Sequence, residues 1–156
     1  MAAITAVKSL SWDDLAKALT KEPPEVVDKA ARGWWTPTTF ENSHRHGDNF
    51  VSKDAITLDF DHPLIDTWGN VIVAFADIPF CMYTTFPHRY DAPRFRVVVP
   101  LSRPCGADEF EAVARKLATR AGIENVARES FVAAQMCYLP TRRFGGEFEA
   151  YIGKGT

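Results

Sequence analysis

The chain has 156 residues, of which 46% are hydrophobic, 24% charged and 12% aromatic, with a net charge of −2 and a pI near 6.1. That length closes one domain around its own core without staples, and the composition excludes a disordered or fibrous chain. The near-neutral balance excludes a whole-molecule basic field, so any polyanion must be met by a local patch.

Taken from the N-terminus, Ser11-Trp-Asp-Asp14 opens a helical pattern. Ser11 can cap, Asp14 favours the helix start, and Trp12, Leu15 and Leu19 share a face. Pro23-Pro24 stops that helix, and Pro24 can begin a second short one with Val26, Val27 and Ala30 inward, ended by Gly33. Trp34, Trp35 and Phe40 follow, aromatics that either stack on bases or, on the reading preferred here, pack a two-helix N-terminal lobe (residues 1–40) onto the rest. Glu41–Asp48 reads as a polar loop containing His44-Arg-His46.

Phe50-Val51 and Ala55–Asp61 read as extended segments. In the second, Ile56, Leu58 and Phe60 point one way while Thr57, Asp59 and Asp61 point the other. Asp66–Asp77 is a helix weakened by Gly69. Strands are expected over Pro79–Thr85 and Pro93–Pro100, the latter with Phe95, Val97 and Val99 opposite Arg94, Arg96 and Val98. The clearest helix runs from Ala107 to Ala121 on a Phe110, Val113, Ala114, Leu117, Ala118 stripe, closed by Gly122. Met136–Leu139 and Glu147–Ile152 close the order as strands around an Arg142-Arg143-Phe-Gly-Gly146 turn. The pattern over residues 50–156 suits an α+β fold, a mixed or antiparallel sheet with helices on one face, in one domain spanning residues 1–156.

Cys81, Cys105 and Cys137 are odd in number and lack a CxxC spacing, which excludes a complete disulfide framework and a cysteine-rich zinc site. They read as reduced thiols of a cytoplasmic protein. Met1–Leu10 lacks a basic start followed by a long apolar run, so no secretory signal is expected. No window approaches the roughly 18 apolar residues a membrane span needs.

Three features carry chemistry. Asp59 and Asp61, at i and i+2 of an apolar strand, put two carboxylates on one side, where a hard cation such as Mg²⁺ or Mn²⁺ relieves their repulsion. That layout suits two-metal phosphoryl or nucleotidyl transfer; the bland alternative is a strand end whose acids face water. Arg94 and Arg96 share a strand face and suit a triphosphate or a template backbone, with Arg45 and Lys53 as further phosphate partners; equally, they could be surface arginines paired with acids. His88 follows the strand that ends in Thr84-Thr85. His44 and His46 could share a metal, although a solvated loop explains them as well, and no glycine-rich phosphate loop is present.

These pieces stand in a familiar order: Ile56-Thr-Leu-Asp-Phe-Asp-His-Pro63, Tyr83-Thr-Thr-Phe-Pro-His88, Pro93-Arg-Phe-Arg-Val-Val-Val-Pro-Leu-Ser-Arg-Pro104, Glu109-Phe-Glu-Ala-Val-Ala-Arg115, Ser130-Phe131 and Met136-Cys-Tyr-Leu-Pro140. Together they resemble the primase-polymerase domains of phage and prophage replication proteins, members of the archaeo-eukaryotic primase superfamily. The resemblance covers Ser11 to the end. It implies an RRM-like core, template-directed nucleotidyl transfer with Mg²⁺ or Mn²⁺, a nucleic acid template and nucleoside triphosphates as partners, and an attached or separate helicase. On that resemblance Asp59, Asp61 and His88 are catalytic and Arg94 and Arg96 belong to the phosphate-binding strand.

Two departures stand out. Relatives usually show Ser-Thr-His-Ser-His where this chain has Thr84-Thr-Phe-Pro-His88, so Phe86 replaces a histidine. Relatives also carry an aspartate where Ala127 falls, leaving Glu129 as a displaced substitute for the third metal-binding acid. Two classes therefore compete: a primase or polymerase, and a catalytically degenerate module that binds nucleotide or nucleic acid. A nicking enzyme using His44 and His46 is disfavoured because Arg45 breaks the His-hydrophobic-His pattern it needs. A purely structural module leaves Asp59, Asp61, Arg94 and Arg96 unexplained.

Overall fold

The computed structural model describes residues 2–4 and 6–156. In chain order its elements are β1 (Ala2–Ala3), α1 (Trp12–Thr20), β2 (Trp34–Trp35), β3 (Thr38–Phe40), β4 (His44–Arg45), β5 (Phe50–Phe60), α2 (Thr67–Ala74), β6 (Pro79–Thr84), β7 (Phe95–Cys105), α3 (Ala107–Ala121), β8 (Cys137–Tyr138) and β9 (Ala150–Lys154). Five of the strands form one antiparallel sheet in the order β3-β5-β7-β6-β9, and two short ribbons pair β1 with β4 and β2 with β8. The fold is α+β. Strands β5 and β6 run parallel on either side of β7 and are joined through α2, the split β-α-β arrangement behind the expected RRM-like core.

Alternation along the strands divides the core. Ile56, Leu58 and Phe60 of β5 and Phe95, Val97 and Val99 of β7 point to the face covered by α2 and α3. There Phe60 and Phe95 stack with centroids 4.6 Å apart, and Trp68 of α2 meets Phe95 edge-on at 5.1 Å. Aromatic pairs of this kind add about 0.5–1.5 kcal/mol to the burial itself. Ala55, Cys81, Tyr83 and Val98 point to the opposite face, where Ala16 and Leu19 of α1 pack. Helices therefore cover both faces, not one. Odd and even strand positions are both apolar in the middle of the sheet, so both sides need a cover.

The local signals explain the helix ends. Ser11 Oγ accepts the Asp14 N–H at 3.1 Å and starts α1. Gly106 donates its N–H to Glu109 Oε1 at 3.1 Å at the start of α3, and Gly122, at φ +93°, ends it.

Four expectations need correction. The two extended segments near residues 50–61 are one eleven-residue strand, β5. The Asp66–Asp77 helix is shorter, Thr67–Ala74. His44-Arg45 is not loop but strand, paired with Ala2-Ala3. No second helix follows Pro24. Pro23 and Pro24 bring no N–H donors, Val26 donates instead to the Arg142 carbonyl at 2.8 Å, and Glu25 bridges to Arg142. Val27, expected inward, is 86% exposed. Trp34 and Trp35, expected to pack the N-terminal segment onto the rest, form β2 against β8, and Trp35 packs on the cluster that holds Ala16 and Leu19 of α1.

Candidate functional site

The β5–β7 register sets Asp59 opposite Arg96 and Phe60 opposite Phe95, at the end of the sheet where β5 stops. Tyr83 of β6 is the other neighbour of Arg96. Arg96 is only 8% exposed, and its guanidinium makes four hydrogen bonds. Nε donates to Asp59 Oδ1 at 2.5 Å, Nη2 to Asp59 Oδ2 at 3.2 Å, and Nη1 to Tyr83 Oη at 3.3 Å and the Tyr138 carbonyl at 3.4 Å. This planar, bidentate geometry is the one arginine makes with carboxylates when water is excluded. Burial pushes the Tyr83 phenol pKa up, so it is a neutral hydroxyl here.

Lys53 sits further back on β5, where the register against β7 shifts between Lys53 and Ala55. Such a bulge re-aims a side chain. Here Nζ lies 4.3 Å from the Phe110 ring centroid of α3 and 3.4 Å from the Ala133 carbonyl. Lys53 is 1% exposed, and burial pulls its pKa down to about 8. Arg45 reaches the same segment, donating from Nη1 to the Ala134 carbonyl at 3.0 Å, with its guanidinium over Trp34.

Three of the cations expected to meet phosphate, Arg45, Lys53 and Arg96, thus donate to the carbonyls of Ala134, Ala133 and Tyr138. The same stretch is fastened to Asp59 by Ser130, whose Oγ accepts the Asp59 N–H at 2.8 Å, and by Ala127, whose N–H donates to the Asp59 carbonyl at 2.7 Å. Ser130, Tyr83 and the carbonyls of 133–138 were not legible as partners.

The remaining expected residues lie around the same end. Asp61 stands one residue past β5 and is half-buried. Arg94 precedes β7 and its side chain meets His62, Nη2 to Nε2 at 3.3 Å. His88, 5% exposed, accepts the Arg94 N–H on Nδ1 at 3.1 Å. Burial lowers its pKa, against the pull of Glu147 and Glu149. Glu129 is exposed on a short 3-10 turn.

Divalent metal is tested by the donor set. Both Asp59 oxygens are held by Arg96, and among the described residues no three His, Cys, Asp or Glu side chains lie close enough together to hold a metal ion. Asp59, Asp61 and Glu129 are not gathered in this arrangement, so it does not fit a pair of cations. Among the described residues, no helix is long and apolar enough to cross a membrane.

Comparison with known proteins adds to this geometry. The model of the VapE N-terminal domain family matches residues 10–153. Among solved structures, the AEP domain of the cyanophage S-2L primase-polymerase matches with a TM-score of 0.55 and 12% identity, over 79% of this chain and 63% of that one. At that identity the likeness is one of fold, and the chain spans less than two thirds of that domain's length. No curated protein matches.

Proposed function

Because the chain belongs to the VapE N-terminal domain family, we propose that it serves phage-type DNA replication as a primase-polymerase-type domain that binds nucleoside triphosphate and template strand, with two-metal nucleotidyl transfer weakened or lost. One observation carries this reading: Arg96 takes both oxygens of Asp59, the first acid of the Asp59-Phe-Asp61 pair, in a nearly buried ion pair. A cation would have to displace a guanidinium that has four hydrogen bonds and little water to retreat to. Nucleotidyl transfer by two cations needs several carboxylates at close range, and neither Ala127 nor exposed Glu129 supplies the third. Binding asks less. Arg94 and His88 stand at the rim of the same sheet end and are not tied to the 133–138 carbonyls.

A second reading, template-directed synthesis with Mg²⁺ or Mn²⁺ on Asp59 and Asp61, is favoured by one feature. The half-buried Asp61 lies at the same strand end as Arg94 and His88. A primer-synthesis assay on a single-stranded template with Mn²⁺, run beside Asp59→Ala and Asp61→Ala, separates the two. Binding without synthesis supports the first reading; synthesis that disappears in both variants replaces it with the second.

A further inference from the structure

The five-stranded sheet ends on β9, and no strand among the described residues pairs with its outer edge. Glu149, just before β9, accepts the Thr84 N–H on its carbonyl at 2.9 Å and donates its own N–H to Thr84 Oγ1 at 3.0 Å, so its backbone faces β6. Antiparallel ladders alternate, which turns the N–H and C=O groups of Ala150, Ile152 and Lys154 away from β6. Among the described residues these groups make no backbone hydrogen bond outside the sheet. We propose that this edge is the contact between two copies of the chain, β9 pairing antiparallel with β9 about a two-fold axis at Ile152 and joining two sheets into one.

The edge is apolar on both faces. Tyr151 is 40% exposed and Ile152 38%. Tyr151 lies on the α2–α3 side beside Phe80, with ring centroids 5.7 Å apart. Ile152 lies on the α1 side, in a cleft of about 380 Å³ that it lines with Trp12, Ala16 and Lys17 among others. Free edges are normally blunted by a charge within the strand, a proline or a bulge. In β9 the sequence Ala-Tyr-Ile-Gly-Lys offers none of these before its last residue, Lys154. The opposite edge, β3, is only three residues long and breaks register against β5 at Thr39-Phe40.

Register singles out a second copy as the occupant. With Ile152 on the axis, Ile152 pairs with Ile152 and Ala150 with Lys154, so every outward-facing group of β9 finds a partner. A slip of two residues either way leaves Lys154 or Ala150 without a partner in β9. Tyr151 of each copy then stands opposite Gly153 of the other. Gly153 is bare because a Cβ there would collide with the Phe80 ring. An aromatic ring across from an edge glycine is the pair that covers such a gap. The antiparallel sense also sets the Lys154 end of one strand beside the exposed Glu149 end of the other, so opposite charges meet at both ends of the contact. Five residues make a small contact, so the association is concentration-dependent.

Sedimentation velocity of the full chain over a range of concentrations reads the association, and oxidative crosslinking reads the register. The variants are Tyr151→Lys, Ile152→Cys and Lys154→Cys, each checked for folding by circular dichroism. Residues bonded to each other across an antiparallel pair lie about 5.5 Å apart at Cα, inside the roughly 4.4–6.8 Å that a disulfide spans. Ile152→Cys should therefore crosslink to its copy, and Lys154→Cys, opposite Ala150, should not. Cys81, Cys105 and Cys137 are buried, and the parent oxidised alongside controls for them. The expected mass of the parent rises with concentration from 17.4 kDa toward twice that value. Tyr151→Lys should weaken the association about tenfold or more. A parent that stays at 17.4 kDa at every concentration overturns the contact and leaves the edge to another partner. Undiminished association in Tyr151→Lys, with no crosslink through Ile152→Cys, places the contact elsewhere and overturns it too. Equal crosslinking by Lys154→Cys and Ile152→Cys overturns the register. Should Tyr151→Lys fail to fold, the two cysteine variants decide.

Discussion

Arg96 and Asp59 face each other across the β7–β5 ladder, and the guanidinium holds the carboxylate by two hydrogen bonds of 2.5 and 3.2 Å. A residue expected to grip phosphate and a residue expected to hold metal are each other's partners. Their charges cancel inside the fold, at the sheet end where β5 stops.

Removing one member of the pair leaves the other buried and uncompensated. Arg96→Met and Asp59→Leu should each lower the unfolding free energy by about 3–5 kcal/mol. The double variant should cost well below the sum, since no orphan charge remains. Urea denaturation of the four proteins measures this cycle, and simple additivity would show that the two side chains do not interact.

Lys53 carries a charge into the core with one carbonyl and the face of the Phe110 ring for company. Its folded pKa, about 8, lies below its ordinary 10.5. Between those values the unfolded chain binds more protons, so stability rises with pH from about 8 to 10.5 and the penalty is full below about 8. At 1.36 kcal/mol per unit the penalty is about 3 kcal/mol at most. Lys53→Met should therefore be more stable than the parent at pH 7, with the two stability curves converging as pH passes 10.5. A less stable variant at pH 7 would show that the ammonium is well satisfied where it sits.

Gly153 of β9 pairs with Phe80 of β6, and a Cβ there would collide with the Phe80 ring. Gly153→Ala should cost about 1–3 kcal/mol through overpacking. Thermal unfolding reads the effect, and an unchanged midpoint would mean that the Phe80 ring can swing aside.

Glu129 is exposed and, among the described residues, belongs to no group of three or more His, Cys, Asp or Glu side chains that could hold a metal ion. Glu129→Gln should leave stability within about 0.5 kcal/mol. Titration with a nucleoside triphosphate in Mn²⁺ should give the parent's affinity. A marked loss of metal-dependent affinity would place Glu129 among the metal ligands.

Much of this was legible in the sequence where periodicity is long and bounded. The Phe110–Ala118 stripe between Gly106 and Gly122 defines α3 to the residue, and the Phe95, Val97, Val99 alternation defines the core face of β7. Pro24 misled because its role is set by Arg142, far along the chain, whose carbonyl takes the Val26 N–H. The same limit hid the site's internal pairing. Asp59 and Arg96 were each singled out as ligand-binding residues, but their meeting depends on strand register, which alternation does not specify between separate segments. Backbone carbonyls at 133, 134 and 138 carry no residue-type signal, so their hold on Lys53, Arg45 and Arg96 could not be read in advance.

The central claim is that this domain binds nucleotide and strand while Asp59 stays with Arg96. Calorimetric titration of a nucleoside triphosphate and of a single-stranded oligonucleotide, in EDTA and again in Mg²⁺, tests it most directly. The account predicts saturable binding in EDTA that Mg²⁺ changes by less than about tenfold, a difference of 1.4 kcal/mol. Binding that is absent in EDTA, appears with Mg²⁺ and is abolished by Asp61→Ala would contradict it.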